Sequence, residues 1–331
     1  MPFAAGPWEL ASVLSKVLSY ASLASLVGGL LVFWLGSERA ARPSSAVASP
    51  LLLSLLNRRY LHWPLALRQH LLQLLLLACL VGSFAALLFF LLQVGVVNQT
   101  GVAGMFDSFM AGLLLQSPIG YGAGLKLTGF LVAAVTLLLA RPALLAEKDA
   151  RLPVSLYSGA LLALVLFAAS FAVLGHVASL GVLAGVAIAV HISAMGLWIG
   201  ALYPLHTLCR QEQHRDEPAV RLQALLQTFG RLGWAITGSL LLAGGYLLTQ
   251  LLEQPADLLS TPYGLMLTGK LLLVVCLLGL AALNKFRLVP ALAGEKVAAL
   301  QYSIRGEMGL AFLILVLTAC LTTFTGPVHL L

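Results

Sequence analysis

Unbroken apolar windows of about 20 residues recur near 10–35, 70–93, 122–140, 154–174, 181–205, 231–252, 265–284 and 306–325. At about 1.5 Å of rise per residue, each is long enough to cross the hydrocarbon core of a bilayer as a helix. The windows are continuously apolar rather than alternating, so they do not read as the strands of a membrane barrel. The pattern predicts an all-α polytopic membrane protein of about eight transmembrane helices forming a single transmembrane domain. Residues 1–150 form its N-terminal half (spans one to three and the lead-in to the fourth), and residues 151–331 the C-terminal half.

Composition agrees: 60% of the 331 residues are hydrophobic, 9% are charged, and the mean hydropathy is +0.98. A soluble domain carries about 25% charged residues. Sixteen of the 19 Lys and Arg lie in or beside 36–68, 141–153, 206–231 and 285–305. The segments between, 1–9, 94–121, 175–180, 253–263 and 326–331, hold none, and they carry Glu9, Asp107, Glu253 and Asp257. With basic loops inside, both termini face out. The net charge of +7 is this asymmetry plus contact with anionic lipid, and is no argument for nucleic acid. No basic n-region precedes the first span, so it is expected to stay as a helix. No phosphate-binding loop for ATP is present, and nothing points to an enzyme. Cys79, Cys209, Cys276 and Cys320 form no CxxC pair and are expected as core thiols, with soft-metal binding the alternative.

An internal repeat is legible. "SPIGYGAGLK" at 117–126 and "TPYGLMLTGK" at 261–270 align at a constant offset of 144, which pairs Ser117–Pro118 with Thr261–Pro262 and Lys126 with Lys270. The same offset pairs Arg141 with Lys285. Gly28–Gly29–Leu30 can be set more weakly against Gly200–Ala201–Leu202. A parallel 4+4 duplication follows, about an axis along the membrane normal. Each Ser/Thr-Pro suits an outer helix start. Lys126 and Lys270 then either snorkel to the outer interface or line a pathway, a vestibule holding a carboxylate or lipid phosphate; Lys16 is read alike. The loop 94–121, with Met105, Asp107 and Met110, is expected to hold a short amphipathic or re-entrant helix.

Of the seven histidines, His62, His70, His206 and His214 fall at the basic inner side and are expected to be solvated or interfacial. His329 adjoins the C-terminus outside, and His176 closes the fourth span. His191 lies about 16 Å from the outer edge, near the midplane. A polar side chain there is costly unless paired or facing a cavity. Met195 at i+4 and Trp198 at i+7 share its face. Imidazole with thioether suits copper, Cu(I) above Cu(II). The bland alternatives are a core methionine, and a histidine bonded to a hydroxyl or backbone carbonyl.

"HISAMGLWIGALYPL" at 191–205 resembles the His-x(6)-Trp-(hydrophobic)-Gly segment of the CopD family of bacterial copper-resistance membrane proteins. "GH" at 175–176 fits that family, as does "TPYGLMLTGKLLLVVCLLGLAALNKFRLVPAL", with its mid-span lysine and Asn-(Arg/Lys)-(aromatic)-Arg end. The resemblance covers about 150–325 well and the first four spans loosely. It implies copper transport across the inner membrane with a separate periplasmic carrier of the CopC type, since no segment here is long or polar enough to be that carrier. By likeness the matching residues are His176, His191 and Trp198; Met195 comes from spacing alone. The expected route receives copper near His176, helped by Met105, Met110 or His329, exchanges it to His191 and Met195, and passes Trp198 as a wall. The alternative is a b-type haem protein, for electron transfer or oxidation, with His176 and His191 as axial ligands.

Overall fold

The computed structural model describes residues 6–39, 59–61, 63–146, 152–174, 179–212, 220–293 and 297–325. Among them eight helices are long and apolar enough to cross a membrane. They are α1 (Pro7–Leu35), α2 (Leu65–Asn98), α3 (Pro118–Leu144), α4 (Val154–Ala172), α5 (Val182–Glu212), α6 (Val220–Leu251), α7 (Pro262–Leu283) and α8 (Val297–Phe324). The one β pairing among the described residues is an antiparallel ribbon of Ser37–Arg39 with Arg59–Leu61 after α1.

The repeated Ser/Thr-Pro pairs start helices as their chemistry dictates. Ser117 Oγ accepts from the Ile119 amide at 3.2 Å, and Thr261 Oγ1 accepts from the Gly264 amide at 2.9 Å. Each satisfies an orphan donor of the first turn, while proline takes the position where no donor is needed. α2 stops at Gln99, whose φ of 55° is left-handed. A 3₁₀ turn at Gly101–Phe106 and a short helix at Ser108–Leu115 follow. Asp107 caps that helix, accepting from the Met110 amide at 2.8 Å. Phe106, Phe109 and Leu113 are exposed there, so the segment lies on the bundle as a surface helix with an apolar side left for the membrane interface.

α1 and α5 form the centre. They cross where Gly28 meets Gly200 and Ala201: a Cβ on either glycine would overlap the facing backbone. Small residues allow this approach, and close packing substitutes for the hydrophobic effect that lipid does not supply. Around the pair, α1 packs on α2 and α8, α5 packs on α6 and α4, α3 bridges α2 and α4, and α7 leans on α8. α6 and α7 scarcely touch. The core runs through Leu23, Leu26, Phe33, Leu75, Phe130 and Phe167, while Leu80 and Phe84 of α2 and Leu242 of α6 face outward, as lipid contact requires. All four cysteines are free, Cys79 and Cys209 buried.

Candidate metal and cation sites in the bundle

Four polar side chains lie eight or nine residues from the N-terminal ends of their helices, about 12–14 Å along the axis: Lys16 on α1, Lys126 on α3, His191 on α5 and Lys270 on α7. They fall into two groups. Lys16 Nζ donates to the Thr322 carbonyl at 2.9 Å, to Thr322 Oγ1 at 3.3 Å and to Thr323 Oγ1 at 2.9 Å. It thereby caps the C-terminal turn of α8, where unsatisfied carbonyls and the negative end of the helix dipole favour a cation. Lys126 is buried, at 8% exposure, with its ammonium 4.6 Å from the centre of the Phe171 ring and 5.9 Å from those of Tyr20 and Phe89. Aromatic faces supply the negative potential that a carboxylate would otherwise provide.

The second group is His191 with Lys270. The imidazole rests on Gly244 of α6, where an added Cβ would come within 3.1 Å of both Cε1 and Nδ1. Glycine at 244 therefore makes the space that the ring occupies. His191 Nδ1 is buried and makes no well-formed hydrogen bond among the described residues, the Leu240 backbone of α6 being the polar group close to the ring. Lys270 lies within electrostatic reach of the ring. A buried ring nitrogen without a well-formed hydrogen bond is uncommon in a folded interior, and it is the kind of atom that a metal ion completes.

The other sequence-selected residues have other neighbours. Met195 packs with Val17, Tyr20 and Ala319 on the α1–α8 side, whereas His191 faces α6. Met105 is buried against Gly95 beside Trp8, and Met110 packs on Phe90, Val94 and Ala123, so both serve the packing of the connection between α2 and α3. His176 and His329, with His62 and His214, lie outside the described residues. His70, near the start of α2, bonds to the Tyr203 hydroxyl at 3.0 Å, and His206, near the end of α5, accepts from Arg305 Nε at 3.0 Å. Among the described residues no three of His, Cys, Asp and Glu cluster as a metal cage would require.

Sequence reasoning missed a third location. A cavity of about 200 Å³ opens where α6 and α7 fail to pack, floored by α5 and α8. Trp198, Phe229, Trp234 and Phe286 wall it, and Asn284 and Glu307 are its polar end. Glu307 Oε1 accepts from Asn284 Nδ2 at 2.9 Å, and Asn284 Oδ1 is buried without a partner among the described residues. α7 prolongs here into one π turn, Asn284–Leu288, closed by the Val289 amide on the Asn284 carbonyl at 2.9 Å. Single π turns are rare and frequent at functional sites, because the extra residue re-aims side chains. Lys285 also lines the cavity, but its ammonium donates to the Gly230 carbonyl and stands 4.1 Å over Trp234. The signal was present in the sequence. Glu307 is the one acidic residue more than two positions inside any of the eight spans, and such residues are rare and functional by default.

Residues 223–321, which contain α7 and most of α6 and α8, match the family model described as Copper resistance protein D, CopD. Gly244, Lys270, Asn284 and Glu307 fall inside that match; His191 and Trp198 precede it. A curated relative, "Copper resistance protein D" of Pseudomonas syringae pv. tomato, is 33% identical over 146 residues, which is 41% of this chain and 47% of the relative. The chain thus spans about half the length of the curated relative it matches. No solved structure matches. With eight membrane-length helices and both likenesses pointing the same way, the chain is similar to the CopD family over its C-terminal spans.

Proposed function

We propose that this protein passes copper across a bacterial inner membrane, with His191 as the ligand in the outer half of the route. One observation carries the reading: the His191 Nδ1 atom is buried, without a well-formed hydrogen bond among the described residues, and seated beside a glycine that leaves it room. Imidazole is a fitting donor for copper, and a lone protein nitrogen makes a weak site, which is what conduction needs if the ion is to leave again. Met195, one turn along the same helix, packs on the α1–α8 side and is left out of the His191 site in this proposal. His176 and His329 belong to the receiving end at the outer face, while Met105 and Met110 are taken up by packing and are given no direct part. A separate periplasmic carrier of the CopC type would hand over the ion there. The relative's name as a copper-resistance protein is in keeping with this reading. Both termini are periplasmic in this scheme, eight crossings returning the chain to the side on which it began. Copper is cargo; no covalent chemistry is done on it, and ATP plays no part. The haem alternative draws no support from either likeness.

The packing also favours the proposed 4+4 duplication. Exchange α1–α4 with α5–α8, and the α1–α2 contact maps on α5–α6, α3–α4 on α7–α8, and α1–α8 on α5–α4. The exception is α2–α3, whose counterpart α6–α7 is replaced by the cavity.

The test is elemental analysis and a visible spectrum of the purified protein, wild type beside His191→Ala. About one copper per chain, lost in the variant, is the expected result. Copper content unmoved by the substitution refutes the role of His191, and a Soret band with iron replaces copper by haem.

A further inference from the structure

Outside the His191 group, the one place in the described membrane interior that presents a carboxyl group to open space is the cavity between α6 and α7. The Glu307 carboxyl is 4% exposed, and one of its oxygens is held by Asn284. Asn284 Oδ1 is buried with nothing to accept from, although it belongs to a residue lining a cavity of about 200 Å³. Leaving such an acceptor bare costs about 1–3 kcal/mol. Asn284 stands at the end of the regular part of α7, facing Glu307 of α8, and the π turn begins at it. An acceptor-rich end in an otherwise apolar chamber selects a positive ligand. Lys285, the other charged group in the lining, is tied to the α6 backbone by Gly230 and stacked on Trp234, so it forms part of the wall.

We infer that Glu307 and Asn284 form a second cation site on the copper route, taking the ion after His191 and releasing it on the inner side. This rests on the copper reading above. Trp198 joins the two places: it is seven residues beyond His191 on α5, about 10 Å along the axis, and it lines the cavity. The two sites differ in chemistry. His191 offers a nitrogen to a borderline or soft ion, whereas a carboxylate and a carboxamide are hard donors that hold Cu(I) loosely. The negative charge draws the cation inward, and the poor donor match lets it go, as stepwise conduction requires. Two donors are too few for a cage, which suits a site of passage. The duplication gives the cavity its place, since it lies where the α2–α3 contact of the other half is not repeated.

The experiment uses the full chain in proteoliposomes with copper(I) added outside and a chromogenic chelator within. Glu307→Gln keeps size and hydrogen bonding while removing the charge. It is expected to slow copper entry at least tenfold and to leave the copper bound through His191 in place; Glu307→Asp is expected to recover part of the rate. His191→Ala is expected to lose both bound copper and flux. Flux in Glu307→Gln within twofold of wild type overturns the cavity site while leaving the His191 reading standing. Should the wild type move no copper, the transport reading fails, and quenching of tryptophan fluorescence by copper(I) decides the cavity alone, since Trp198 and Trp234 line it. Quenching lost in Glu307→Gln supports a cation site there, and quenching unchanged refutes it. Asn284→Ala, expected to slow flux about threefold, replaces Glu307→Gln if that variant unfolds at a lower temperature than wild type.

Discussion

Replacing Gly200 by alanine adds one methyl group at the crossing of α1 and α5. The new Cβ would overlap the Ala24 carbonyl of α1 and stand 3.0 Å from the Gly28 amide nitrogen, against 3.4 Å or more for ordinary contact. Both neighbours are backbone, so no flexible side chain can yield, and the helices themselves must part. A gap of about 0.5–1 Å forfeits between a quarter and a half of each dispersion contact across it. The seam buries Leu23, Ala24, Val27, Ala201 and Leu202. Spread over those side chains, the loss comes to about 3 kcal/mol, the upper end for an inserted methyl group. It corresponds to about two decades in the folding equilibrium. Unfolding by SDS in mixed micelles, followed by circular dichroism, measures it as a shift of the midpoint. Gly124→Ala is the control, because nothing lies within 4 Å of a Cβ there, and relief of glycine's helix penalty should make it neutral or slightly stabilising. A Gly200→Ala midpoint equal to that of Gly124→Ala would refute the close crossing and with it the central role given to α1 and α5.

Two further substitutions probe the helix ends and the ion's escape. Arg68 is buried and its Nη1 donates to the Leu144 carbonyl at 2.8 Å and the Ala146 carbonyl at 2.9 Å, tying α2 to the end of α3. Arg68→Leu removes both charge-assisted bonds and should cost about 3 kcal/mol in the same SDS titration; an unchanged midpoint means the tie contributes nothing. Lys270→Met removes the cation within reach of His191, so copper should bind at least threefold more tightly there and leave more slowly, measured by competition with a chelator and by flux. Weaker binding in that variant would show that Lys270 supports the site rather than opposing a bound cation.

All eight spans could be read from hydropathy because a bilayer leaves the backbone few options, and an uninterrupted apolar run of that length has to be a helix. The errors lie at the helix ends. The eighth span was expected at 306–325, yet α8 begins at Val297, nine residues earlier, and the fifth runs on from an expected 205 to Glu212. In both overhangs the polar residues that lowered the hydropathy are paired across helices: His206 of α5 with Gln301 and Arg305 of α8. Hydropathy counts such groups as water-facing, whereas the fold uses them to fasten two helix ends together.

That displacement also explains what was missed at the site. An eighth span placed at 306–325 puts Glu307 at its very start; with α8 starting ten residues before it, the same carboxyl is carried into the bundle and against Asn284. Its partner was concealed for a different reason. A π turn has no hydropathy signature, and "NKFR" reads as a basic helix end until the fold shows Asn284 turned into a cavity and Lys285 onto Trp234. His191 was legible because it interrupts an apolar run near its middle, where an imidazole needs a reason to be. The room for its ring was not, since Gly244 is 53 residues away in sequence and becomes its neighbour only when α5 packs on α6. Sequence thus exposes an isolated polar residue within an apolar run, and packing decides whether that residue is satisfied. Here the packing leaves the Nδ1 of His191 and the Oδ1 of Asn284 buried without a well-formed hydrogen bond among the described residues, and a cation able to visit both in turn would satisfy each without being trapped by either.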